Sequence, residues 1–121
     1  QIKTDSTTWG NYYNANFTIE RGKYSTNKGQ TYTEVEGSYS KAISSVLLTT
    51  GATERNSALG IYDLAGNVYE WTLENTTYPY SPCAVRGGNY SNNGVPYSAC
   101  YRDNNSTSYA LYHIGIRSAL W

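Results

Sequence analysis

Asp63, Gly66 and Glu70 fall in one short run, LGIYDLAGNVYEW (residues 59–71), where oxygen-bearing side chains flank a glycine. Such a run builds a helix start, a turn or a small cation-binding loop. Other chemistry-bearing groups are sparse. Cys83 and Cys100 are the two cysteines, with no CxxC spacing and too few ligands for a metal framework. They read equally as two free small hydrophobes or as one disulfide. His113 is the single histidine, and no acid or cysteine partner is placed beside it by spacing. The nine Asp and Glu residues form no paired-carboxylate signature. Gly-rich phosphate loops and zinc motifs are absent from the sequence.

The elements that must hold these residues are short. FTIERGKYS and TYTEVEGSYS alternate as strands or extended loops. KAISSVLLTTG has helical spacing at Ala42, Val46 and Leu47, diluted by Ser and Thr, and predicts one short helix or an extended segment. Asp63 to Asn67 carries turn residues, and VYEWTLE alternates after it, so this stretch reads as a turn followed by a strand. CAVRGGNYS is a strand whose Gly pair marks close backbone approach. Residues 91–113 lack a period and read as loop, and IGIRSALW reads as a final strand.

The chain has 121 residues, enough for one domain with a modest core. Its formal net charge is zero with 15% charged residues, which removes the electrostatic case for nucleic acid or an anionic membrane. The longest apolar run, AISSVLL, is too short to span a bilayer, so no membrane insertion is expected. Methionine is absent and the chain starts at Gln1, which reads as a piece of a longer chain. Aromatic residues are mostly tyrosine, 14 against one Phe and 3 Trp. Tyrosine couples a rigid face to a polar tip and suits half-exposed contact surfaces better than dry cores.

Four segments occur in order: TWGN (8–11), GIYDLAGNVYEW (60–71), VRGGNY (85–90) with YR (101–102), and IGIRSAL (114–120). Together they resemble the formylglycine-generating-enzyme, or sulfatase-modifying-factor, family. The resemblance implies an α+β fold: a sulfatase-modifying-factor variant of the C-type lectin-like fold, with short strands, long loops and little helix. It implies a single lectin-like domain over 1–121, the C-terminal portion of a longer chain, since the helical half that precedes Trp-Gly-Asn in the family is missing. Oxidising members carry two copper-binding cysteines after Arg-Gly-Gly. Here NYSNNGVPYSAC follows, so only Cys100 matches, and a thiolate-copper oxidase cannot run on one thiolate. The resemblance also implies a structural Ca²⁺ in the opening motif. Its ligands would be the Asp63 and Glu70 carboxylates and the Gly66 and Val68 carbonyls. The competing reading is turn architecture, with Asp63 and Asn67 capping and Glu70 paired to Arg86 or Arg117. In both readings the loop is scaffold, with Tyr69 and Trp71 packed beneath the tail.

Residues 87–116 contain no Lys, Glu, Gln, Met or Trp. Those residue types are unreachable from an Asn codon when only its two adenines change. DNNSTSYALYH (103–113) consists wholly of Asn and residues reachable that way. The tail therefore resembles the variable protein of a diversity-generating retroelement, with 86–117 as the variable region. The expected contact residues are Tyr90, Asn92, Asn93, Tyr97, Tyr101, Asp103, Asn104, Asn105, Ser108, Tyr109, Tyr112 and His113, with tyrosines as anchors and the others as adaptable polar groups. Arg86, Arg102 and Arg117 are expected as framework. The leading reading is a non-enzymatic receptor-binding domain on a phage tail or bacterial surface, meeting a host-cell surface protein or glycan. The rivals are a metal-dependent oxidase of the formylglycine-generating family and a structural tail-tip module, for instance a homotrimer through the parent chain.

Overall fold

The computed structural model of the chain describes residues 4–58, 60–108 and 110–117. Among them the strands are β1 (Phe17–Ile19), β2 (Lys23–Ser25), β3 (Thr33–Glu34), β4 (Tyr39–Lys41), β5 (Leu47–Leu48), β6 (Ser57–Ala58), β7 (Ile61–Tyr62), β8 (Tyr69–Asn75), β9 (Cys83–Arg86), β10 (Arg102–Asn105) and β11 (Ile114–Gly115). The single helical element among the described residues is a 3-10 turn, Glu54–Asn56, capped by the Thr53 side chain. The α part of the expected α+β class is therefore reduced to one turn. The Ala42–Gly51 segment forms no helix and contributes β5. Its Ser and Thr residues favour extended backbone, and Leu48 is paired to β2 on one side.

The principal sheet runs β10-β9-β8-β11, with antiparallel neighbours except for the parallel β8–β11 pair. β10 corrects the expectation of a structureless 91–113: Arg102–Asn105 pairs residue for residue with Arg86–Cys83. Its sequence, RDNN, has low strand propensity, so the pairing rests on the neighbouring strand rather than on local preference. Smaller sheets β3-β2-β5, β1-β4 and β6-β7 make up the first half. Ile19, Val46, Leu48 and Ala52 form the core there, with Phe17, Tyr24, Val35 and Tyr39 against it.

The two halves meet in a buried polar knot made from the motif residues. The Asn67 amide lies between Leu48 and Asn11: its Oδ1 accepts from Leu48 N and Asn11 Nδ2, both at 3.0 Å, and its Nδ2 donates to Leu48 O at 2.9 Å. Asn11 Nδ2 also donates to Val46 O at 2.7 Å. Gly87 O accepts from Gly66 N at 2.8 Å and from the Tyr12 hydroxyl at 2.9 Å. The spacing is fixed by backbone. Gly66 has φ +68, and a Cβ there would collide with the Asn11 carbonyl; Gly88, φ +69, leaves no room beside the Tyr97 carbonyl. Below the knot, Lys41 is 1% exposed. Its ammonium donates to Tyr12 O (2.8 Å), Ala15 O (2.7 Å) and Ala42 O (3.3 Å).

Candidate ligand-binding surface

The tail strands and loops bring five rings into a ladder. Tyr97 and Tyr101 meet edge to face at 4.6 Å. Tyr101 leans on Tyr69 of β8 at 6.3 Å, and Tyr69 meets His113 edge-on at 6.2 Å. His113 in turn meets Tyr112 at 5.0 Å, again edge-on. These geometries are the favoured ones for aromatic quadrupoles. Tyr69 is buried and forms the floor, Tyr97, Tyr101 and His113 are half-buried, and Tyr112 is 49% exposed. A tight backbone bond, Tyr69 N to His113 O at 2.8 Å, fixes the tail to the sheet beneath the rings.

The electrostatics follow burial. The Tyr101 hydroxyl is pushed above its ordinary range by burial, then by the Asp103 carboxylate and Tyr97. Tyr69 is raised for the same first reason, so both remain neutral donors throughout the physiological range. Burial pushes the His113 imidazole down, favouring its neutral form. The face therefore offers rings, hydroxyls and the Asp103 carboxylate, with the Lys28 ammonium at the rim. Lys28 Nζ lies 5.4 Å from the Tyr112 ring centroid.

The remaining expected contact residues divide. Asp103, Asn104 and Asn105 stand half-buried on β10, and Ser108 is exposed beyond it. Asn93 is exposed, whereas Asn92 spends its Oδ1 on Asn89 N at 2.9 Å and closes a turn. Tyr90 departs from the expected anchor role as the structure stands: it is 2% exposed. Its amide is tied to Asn67 O at 3.0 Å, which draws the residue after the Gly pair inward. Tyr109 lies outside the described residues. Sequence reasoning missed Lys28, which lies far upstream in a polar loop and carries no local signal, and gave Tyr69 a purely structural place.

The opening motif is a turn. Asp63 (φ +55), Gly66 and Asn67 (φ +61) all adopt left-handed backbone, which Asp and Asn tolerate. Asp63 is 8% exposed; its carboxylate accepts from Gly51 N at 3.0 Å and Asn56 Nδ2 at 3.4 Å. Glu70 accepts from Arg117 Nε at 2.7 Å, and the same guanidinium donates to the Asp63 carbonyl at 3.0 Å. A guanidinium thus stands between the two acidic residues expected to ligate calcium. As arranged, this donor set does not fit a divalent cation unless Arg117 withdraws. Among the described residues no group of three or more His, Cys, Asp or Glu side chains is placed to hold a metal. Arg86 and Arg102 act as framework, sharing Glu74 at 2.9 and 2.6 Å. Of the two readings for the cysteines, the structure has both thiols free, Cys83 half-buried and Cys100 exposed.

Comparison with known proteins agrees with this architecture. The family model described as the sulfatase-modifying factor enzyme 1-like domain matches residues 1–120. A solved structure titled "Crystal Structure of CarF" is 29% identical, with a TM-score of 0.50, over 60% of this chain and 27% of that one. The chain thus corresponds to little more than a quarter of that protein. No curated protein sequence matches.

Proposed function

Because the chain belongs to the sulfatase-modifying factor enzyme 1-like family, we propose that it is a non-enzymatic member on a C-type lectin-like scaffold, in which the tail has become a ligand-binding surface. The observation that carries this reading is the ring ladder from Tyr97 to Tyr112, built on a buried Tyr69 and open to solvent at Tyr112. Half-exposed tyrosines seated on a rigid sheet and fringed by Asn, Asp and Ser supply contact area at low entropic cost with adaptable hydrogen bonds. The contact residues are Tyr97, Tyr101, Asp103, Asn104, Asn105, Tyr112 and His113, with Asn93 and Ser108 outside them. Residues 86–117 are diversified through adenine replacement by a retroelement. The domain attaches a phage tail or a bacterial surface to a host-cell protein or glycan.

The test is on the DNA. A near-copy of codons 86–117 beside a reverse-transcriptase gene, with adenines wherever the two copies differ, is the expected finding. A genome with no such copy would reduce the tail to an ordinary Asn- and Tyr-rich loop and remove the diversification part of the reading.

A further inference from the structure

Beside the ring ladder, a depression of about 310 Å³ is lined by Trp71, Thr72, Cys83 and Thr107. We propose that it is a subsite for one neutral pyranose ring of a glycan, extending the contact surface past the end of β10. This inference rests on the reading of the adjoining face as the ligand-binding surface.

Placement comes from strand register. Trp71 pairs with Val85, Val85 with Asp103, and Cys83 with Asn105, and cross-strand partners share a face. Trp71, Cys83, Asp103 and Asn105 therefore share one side of the sheet, half-buried around the buried Val85. The register shifts between Trp71 and Asn75, so that β8 bulges there. Bulges re-aim side chains, and this one lets the consecutive residues Trp71 and Thr72 both line one depression. The depression joins residues of β8 and β9 (Trp71, Cys83) to the tail (Thr107, with Asn105, the cross-strand partner of Cys83, at its edge).

Its chemistry selects the occupant. The volume stands at the low end for small-molecule sites, room for one ring rather than a chain. Among the described residues no charged side chain lines it, which disfavours a uronate, a sialate or a phosphate. An indole face accepts the C–H face of a sugar ring, while the ring's hydroxyls require polar partners at its edge. The Thr72 hydroxyl is already committed to Ala84 O (3.1 Å) and Glu74 N (3.2 Å). Thr107 has no hydrogen-bond partner among the described residues. Asn105 spends only its Oδ1, on Ser106 N at 2.8 Å, leaving its amide hydrogens for a ligand. An apolar peptide side chain would cover these donors without pairing them, at a desolvation cost.

Cys83 makes the test site-specific. In a Cys100→Ser variant it is the sole thiol, and its alkylation by iodoacetamide reads occupancy directly. The probes are methyl β-galactoside, methyl α-mannoside and methyl β-N-acetylglucosaminide, against glucuronate and N-acetyl-leucinamide. One or more neutral glycosides should slow alkylation saturably, about tenfold at about 50 mM for a Kd of about 5 mM. Glucuronate should leave the rate unchanged. Trp71→Ala should abolish protection, and Asn105→Ala, outside the core, should weaken it with folding intact. A rate that none of the three glycosides lowers below the sugar-free control, or protection by N-acetyl-leucinamide instead, would overturn the proposal. The codon-copy search does not depend on the alkylation result, so failure of the subsite and failure of the wider reading are told apart.

Discussion

The knot around Asn67 and the ring ladder around Tyr69 meet at the start of β8, Asn67 just before the strand and Tyr69 its first residue, yet they are held by different forces. In the knot, side-chain amides and an ammonium are buried to within a few per cent and tied to backbone at 2.7–3.3 Å. In the ladder, rings contact edge-on or tilted at 4.6–6.3 Å and the neighbouring polar side chains bond mainly to their own loops. Directional bonds in a desolvated site tolerate almost no change of residue, because each loss leaves an orphaned group. Ring contacts and exposed amides tolerate many. The start of β8 thus separates a part that must stay constant from a part free to vary, and the proposed diversified binding surface requires that separation.

The largest effect is expected at Asn67. Asn67→Ala orphans the Leu48 amide and carbonyl and removes one acceptor from Asn11. At about 1–3 kcal/mol for each buried group left unpaired, the loss is about 4 kcal/mol, read from urea unfolding. A loss under about 1 kcal/mol would show that the knot is not what constrains the motif, and the contrast between the two regions would collapse.

Lys41 comes next. Lys41→Met leaves the Tyr12, Ala15 and Ala42 carbonyls without their donor, for a loss of about 2 kcal/mol. Burial, with Arg55 nearby, lowers the Lys41 ammonium to about 8 from its ordinary 10.5. Its folded value is depressed, so the unfolded chain binds more protons in that window and this residue's contribution grows as pH rises from about 8 to 10.5. The stability gap between wild type and Lys41→Met should widen over that range, and a gap that narrows would show the ammonium form to be the favoured one inside.

Part of the knot was legible in the sequence: the Gly87–Gly88 pair reads as close backbone approach and Asp63 to Asn67 as a turn, whereas the Asn67 amide buried between Leu48 and Asn11 carries no local signal. The Arg117–Glu70 pair stood among the alternatives as well. What could not be read was long-range. β10 is a strand through its partner β9, not through its own RDNN. The Lys28–Tyr112 contact joins residues that nothing local relates. Tyr90 turns inward because of a bond to Asn67, while its composition matches that of the outward tyrosines.

In the ladder, stability and binding should come apart. Tyr112 is half exposed, so Tyr112→Ala should change unfolding free energy by no more than about 0.5 kcal/mol. The same change should weaken attachment to host cells by about 30-fold, the size of an aromatic hot spot near 2 kcal/mol. Unfolding and cell-binding assays on one preparation decide it. Equal attachment by both proteins would move the contact surface away from the tail end of the ladder.

The smallest effect sharpens the comparison most, because it asks whether the ladder carries any of the knot's rigidity. His113 packs edge-on against both Tyr69 and Tyr112, and burial holds its imidazole below the ordinary 6.5. For a depressed group the contribution is complete above the unfolded value and is lost as pH falls through the folded one. Wild-type stability should therefore decline on acidification from pH 7 through the region below 6.5 more steeply than that of His113→Gln, as the unfolded chain takes up the proton first. Because His113 O also accepts the Tyr69 amide, charging the ring should loosen the tail before the sheet. Amide exchange at Tyr69 would then rise with acid while exchange at Leu48, inside the knot, stays flat. Parallel rises at both amides would mean that knot and ladder open as one unit and that the division at β8 is structural in appearance only.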